Sequence, residues 1–140
     1  HPRQLQAILQ GQHTWLAAFE EYARWMSPIG MSPRRVAMEF NWQGITVEPD
    51  DRVFFMFGSA NRDETIFELP DQFDVSRNTA KAISFGAGPH FCAGAAASRA
   101  LIAEVALPML FDRFPNMALQ NEPKFGGWAF RGPLEVLVKV

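Results

Sequence analysis

The residue best suited to chemistry is Cys92, the single cysteine of 140 residues, within Phe85-Gly86-Ala87-Gly88-Pro89-His90-Phe91-Cys92-Ala93-Gly94. Glycines at 86, 88 and 94 permit a tight bend, and the alanine-rich run that follows reads as the start of a helix. Backbone amides and the helix dipole at such a terminus favour an anion, so the sulfur is expected to sit there as a thiolate. A thiolate is a nucleophile or a metal ligand. Residue types alone leave other readings open. A lone cysteine is commonly a small buried hydrophobe. A structural zinc needs four nitrogen or sulfur ligands, and only His90 is near in sequence, the other histidines being His1 and His13. A Cys–His catalytic pair lacks an obvious third residue to orient it.

The elements that must position this loop follow from periodicity and punctuation. Pro2 opens a short helix with Leu5, Ile8 and Leu9 on one side and Gly11 as its stop. Thr14 caps a second helix, in which Leu16, Phe19, Ala23 and Met26 form a buried stripe and Ser27-Pro28 is the end. Glu21 and Arg24 lie at i, i+3 and share a face of it; exposed, such a pair is worth roughly 0.2–0.5 kcal/mol. The period then changes. Val36, Met38 and Phe40 alternate as a strand, Asn41 to Gly44 turns, Ile45 to Val47 resumes, and Val53 to Phe57 follows the Pro49-Asp50-Asp51 turn. These predict a small antiparallel sheet. Residues 58–84 read as a loop-rich meander. A helix is expected from Ala95 to Phe114, disturbed by Pro108 and ended by Pro115. The tail predicts a terminal hairpin, with turns at Gly126-Gly127 and Gly132-Pro133 and alternation at Leu134, Val136, Val138 and Val140. The fold class is therefore mainly α with small antiparallel β-sheets, in one domain.

Composition narrows the function classes. Net charge is −2, which disfavours nucleic-acid binding through clustered positive charge. No apolar run approaches the ~20 residues of a membrane-spanning helix. One cysteine cannot form an internal disulfide, so the cytoplasm is the expected location. The start at His1-Pro2, with neither an initiator Met nor a secretory pattern, is expected of a processed or truncated chain.

The ten residues of the cysteine loop match the haem-binding pattern F-G-x-G-x-H-x-C-x-G of the cytochrome P-450 family at every fixed position. Over essentially its whole length the chain resembles the C-terminal part of a soluble bacterial member. The resemblance makes Cys92 the axial ligand of haem iron, the cofactor being haem b, with Phe85, Gly86 and Gly94 shaping the loop. It makes His90 and Arg35 partners of the haem propionates. Glu21-Tyr22-Ala23-Arg24 matches the family's E-x-x-R, which implies a buried pair bracing the meander, with Arg77 as its third member. Asn61-Arg62-Asp63 is similar to a structural segment of bacterial members. Arg99 is similar to proximal-face basic residues that receive an iron–sulfur partner. Phe125 to Gly132 resembles the tail of members that oxidise para-substituted aromatic carboxylic acids.

The implied function is a haem-thiolate monooxygenase that inserts one atom of dioxygen into a small organic substrate, using electrons from a ferredoxin and its NAD(P)H reductase. The resemblance implies that the distal half of the site lies outside these residues. They are expected to be inactive alone and completed by a preceding part of the same protein. The competing expectation is a catalytically inactive remnant that folds or self-associates without haem, burying its aromatic surface in an oligomer.

Overall fold

A computed structural model describes residues 1–140. Helix α1 (Pro2–Leu9) begins on its proline and gives way at Gly11, where φ is +72°. Helix α2 (Trp15–Met26) starts where the Thr14 hydroxyl accepts the Ala17 N–H at 3.0 Å. It ends at Ser27, in the left-handed region at φ 45°. The Ser27 hydroxyl donates back to the Arg24 carbonyl at 2.8 Å, and Pro28 bars continuation.

The β structure departs from expectation. Strand β1 (Ser32–Arg35) pairs antiparallel with β4 (Arg52–Phe55), while β2 (Phe40–Trp42) pairs with β3 (Ile45–Val47) as a separate hairpin. There is thus no strand across 36–40 and no single three-stranded sheet. The alternation of Val36, Met38 and Phe40 did not mark a buried face: Val36 is buried, but Met38 and Phe40 are exposed. The hairpin register comes from a two-residue turn. Gln43 and Gly44 take φ of 50° and 81°, so Trp42 faces Ile45. The fourth strand also stops short of Phe57, which opens a single helical turn, α3 (Phe57–Ala60).

The meander expected over 58–84 begins only at 61, after α3, and the irregular path continues to 94, broken by the 3₁₀ turn Gly88–His90. A continuous helix follows from Ala95 to Arg113, wound in three ways: α4 (Ala95–Ser98), a π-helix over Arg99–Ala106, and α5 (Leu107–Arg113). Pro108 accounts for the change. It cannot donate a backbone hydrogen bond and its ring crowds the preceding turn, and the wider winding lies just before it.

The terminal alternation pairs non-locally. Strand β5 (Ala118–Leu119) takes β8 (Val138–Lys139), and only β6 (Phe125–Gly126) with β7 (Gly132–Pro133) forms the expected local hairpin. The tip of that hairpin docks on the segment after α2. Gly30 N–H donates to Ala129 O at 2.9 Å, and Arg131 N–H to Pro28 O at 2.8 Å.

Burial is sparse. Only 15 of 140 residues are buried, and the accessible surface is 10188 Å². A compact monomer of this mass would expose about 7,300 Å². Trp42, Ile45, Leu101, Met109, Trp128 and Phe130 are among the large apolar side chains left in contact with solvent. No helix is long and apolar enough to cross a membrane.

Candidate functional site

Three buried side chains tie α2 to the meander. Glu21, Arg24 and Asn61 are wholly shielded from solvent. Arg24 grips Glu21 bidentately, Nε to Oε2 at 2.7 Å and Nη2 to Oε1 at 2.8 Å. Its remaining hydrogens go to the carbonyls of Asn61 and Pro70, both at 2.9 Å, and of Gln72 at 3.2 Å. Arg77 approaches the same carboxylate, Nε to Glu21 Oε1 at 3.1 Å, and the Asp74 N–H donates to that oxygen at 2.9 Å. Two guanidiniums thus share one carboxylate, and the carbonyls of Glu68, Leu69 and Gln72 take up Arg77's other hydrogens. The expected third member, Arg77, stands beside the pair. Asn61 completes the brace: its amide donates to Ser27 Oγ at 3.0 Å and Ser84 Oγ at 3.1 Å, and its carbonyl accepts Ile83 N–H at 2.8 Å. That last bond fixes the chain two residues before Phe85.

The meander also holds itself. Asp74 accepts the Ser76 hydroxyl at 2.7 Å and the Ser76 N–H at 2.9 Å. Those bonds, hydroxyl first, with Arg77 and His13 adding charge attraction, hold its carboxyl below the usual carboxylate range. Thr65 lowers Asp63 in the same manner. Burial alone raises the Tyr22 phenol.

The cysteine loop is closed by its own backbone. Cys92 N–H donates to Phe85 O at 2.9 Å and Phe91 N–H to Gly88 O at 3.0 Å, while Gly86 and Gly88 take φ of +74° and +64°. Cys92 O then accepts the Ala95 N–H at 3.1 Å, where the helix begins. A Cβ at Gly94 would lie 3.9 Å from the sulfur. No N–H donates to the sulfur, so the expected amide cradle is not formed as hydrogen bonds. Cys92 is exposed. It opens onto a cleft of about 430 Å³ lined by Phe19, Pro28, Ile29, Phe57, Phe85 and Ile102, with Arg34 and His90 as its basic members.

Arg34 and Arg35 are adjacent strand residues and face opposite ways. Arg34 is half-buried, lines the cysteine cleft with Ser32 and lies over the Phe55 ring at 5.5 Å. Arg35 is exposed and paired with Asp50, its Nε 2.6 Å from Oδ1. It lines a neighbouring hollow with Arg34, Gly86 and His90, and of the two arginines Arg34 also lines the cysteine cleft. The alternation of the strand carried that distinction, but its phase could not be read before the partner strand was known. Arg99 pairs with Glu20 and stacks on Phe85, 4.5 Å from the ring centroid.

The model of the family described as Cytochrome P450 matches residues 16–123. The chain belongs to the cytochrome P450 family. It is 34% identical over 131 residues to the biotin biosynthesis cytochrome P450 of Bacillus subtilis, covering 90% of this chain and 33% of that protein. Against the 6-deoxyerythronolide B hydroxylase of Saccharopolyspora erythraea the identity is 38% over 119 residues, covering 85% of this chain and 29% of the relative. Among solved structures, P450BioI in complex with an acyl carrier protein ligated to hexadec-9Z-enoic acid superposes with a TM-score of 0.89 at 34% identity, covering 99% of this chain and 36% of that one. The Bacillus subtilis bacillaene synthase cytochrome P450 PksS gives 0.88 at 32%, with 99% and 37% covered. The chain therefore spans about a third of the length of the cytochrome P450s it matches.

Membership of the cytochrome P450 family implies haem, and the residues present fit one face of it. An exposed cysteine beside small residues, a mainly apolar cleft lining and two basic side chains in that lining suit an iron ligand, a flat macrocycle and its carboxylates in turn.

Proposed function

We propose that this chain supplies the proximal haem site of a haem-thiolate monooxygenase, as one part of a larger cytochrome P450 domain. The observation that carries the reading is the solvent-facing Cys92 on an apolar cleft, inside a loop that the Asn61 and Arg24 network anchors from behind. Cys92 would hold the iron of haem b through its sulfur, which would push electron density toward it. Arg34 and His90 pair with the propionates. Phe85, Gly86 and Gly94 leave room for the macrocycle, and Glu21, Arg24 and Arg77 hold the meander that carries the loop. Bound haem supplies dioxygen activation and oxygen transfer to a small organic substrate.

Electrons reach the site from a ferredoxin-type protein and its NAD(P)H reductase, as the family resemblance implies. The aromatic Phe125–Phe130 tip docks on Pro28 and Gly30 beside the cleft, which suits an apolar or aromatic acid substrate. The large exposed apolar surface supports completion of the domain by further chain, and the cytoplasm is the setting that the resemblance to soluble bacterial members implies.

The test is the ferrous–CO difference spectrum of the haem-loaded protein. A red-shifted Soret band of thiolate ligation, abolished in Cys92→Ser, is expected. A histidine-like band that survives the substitution overturns the assignment.

A further inference from the structure

We infer that Arg99 is a positioning residue that acts on the haem thiolate through the Phe85 ring, with Glu20 holding Arg99 in place. The inference rests on Cys92 being the iron ligand. Arg99 opens the π-helical stretch, and its guanidinium lies between two groups. On one side is the Glu20 carboxylate of α2, bonded to Nε. On the other is the face of Phe85, 4.5 Å from Cζ to the centroid. Phe19 closes on the same ring, at 6.2 Å between centroids. Phe85 is held at its backbone too, since its carbonyl accepts the Cys92 N–H at 2.9 Å. The ring lines the same cleft as Cys92 and is packed between Phe19 of α2 and Arg99 of the helix that follows, while Cys92 ties its backbone.

An arginine kept as a free docking cation would extend into solvent. The Arg99 side chain is instead 33% exposed and its partner Glu20 20%. Its planar face suits stacking, whereas a lysine would offer only a point charge. Arg99 is therefore committed to Glu20 and Phe85, and its influence on the sulfur passes through the ring.

The sign of two substitutions separates position from charge. If Arg99 acted by through-space charge, Arg99→Ala would lower the haem reduction potential and Glu20→Gln would raise it. If it acts by placing Phe85, both variants release the ring and shift the potential in the same direction. Both should also move the iron–sulfur stretching frequency, and both effects should vanish in a Phe85→Leu background, where the ring is gone.

The measurement is spectroelectrochemical titration with resonance Raman of the haem-loaded protein, on the three single variants and the two doubles with Phe85→Leu. Same-sign shifts that disappear in the doubles support the inference. Opposite-sign shifts, shifts that persist without the ring, or wild-type values in both single variants overturn it. Glu20→Gln, the milder change, keeps the test decisive if Arg99→Ala does not fold. Loss of the thiolate CO band in wild-type protein would refute the Cys92 assignment itself, a failure distinct from unshifted potentials in variants that keep the band.

Discussion

Glu21→Gln is the most informative single perturbation of the scaffold. The substitution keeps the shape of the side chain and one carbonyl acceptor, and removes the charge. Glu21 is wholly buried and accepts four hydrogen bonds, two from Arg24 and one each from Arg77 and the Asp74 amide. Arg24 is equally buried and Arg77 nearly so. Neutralising Glu21 leaves these guanidiniums with carbonyl dipoles only. Breaking a buried ion pair in this way costs about 3–5 kcal/mol. A solvated i, i+3 pair would lose roughly a tenth of that. The loss is a large part of the ~5–15 kcal/mol that stabilises a typical domain. For a urea m-value near 2 kcal/mol/M, the unfolding midpoint should fall by roughly 2 M, with m unchanged. Adding Arg24→Met should recover part of the loss, because the stranded charge goes with it. Far-UV circular dichroism in urea is the assay. A midpoint change equivalent to less than about 1 kcal/mol would mean that the pair is solvated or dispensable, against the burial seen here.

Three further outcomes follow from particular contacts. Asp74 has a lowered carboxyl pKa, so its contribution to stability is present above the ordinary carboxylate range and is lost as pH falls through the folded-state value. Ser76→Ala removes the largest cause, so the acid-unfolding midpoint should move to higher pH; an unchanged acid limb would contradict this. Gly127 has φ +91°, and a Cβ there would lie 1.8 Å from Phe130 O, whereas Gly132 has open space. Gly127→Ala should cost more than about 1 kcal/mol and speed amide exchange across 125–133, with Gly132→Ala near neutral. Arg34→Ala should weaken haem retention by roughly tenfold or more in apomyoglobin transfer, the loss of a charge-assisted hydrogen bond, while Arg35→Ala should change it little. Equal effects would undo the distinction between the two faces of β1.

What could be read from the sequence was local. The cysteine loop is ten consecutive residues, and its bend depends on glycines at 86 and 88 that adopt positive φ. Glu21 and Arg24 are one helical turn apart, so their shared face follows from helix geometry alone. Thr14 and Pro28 marked the ends of α2 for equally local reasons. The misreadings depended on partners distant in the chain. Alternation at Leu134, Val136 and Val138 is compatible with a local hairpin and with the pairing to Ala118–Leu119 that the structure adopts. Val36, Met38 and Phe40 alternate across a stretch where one pairing ends and another begins, with Met38 in solvent. The burial of Glu21 came from the carbonyls of residues 61–72 wrapping around Arg24. Nothing in the helix pattern encodes that cage.

If Cys92 holds haem iron, its sulfur lies in the first shell of the metal. Iron K-edge X-ray absorption of the haem-loaded protein tests it without reference to turnover. One sulfur scatterer in the first shell of the iron, absent from Cys92→Ser, is the predicted result. A shell of nitrogen and oxygen alone in the unaltered protein would contradict it.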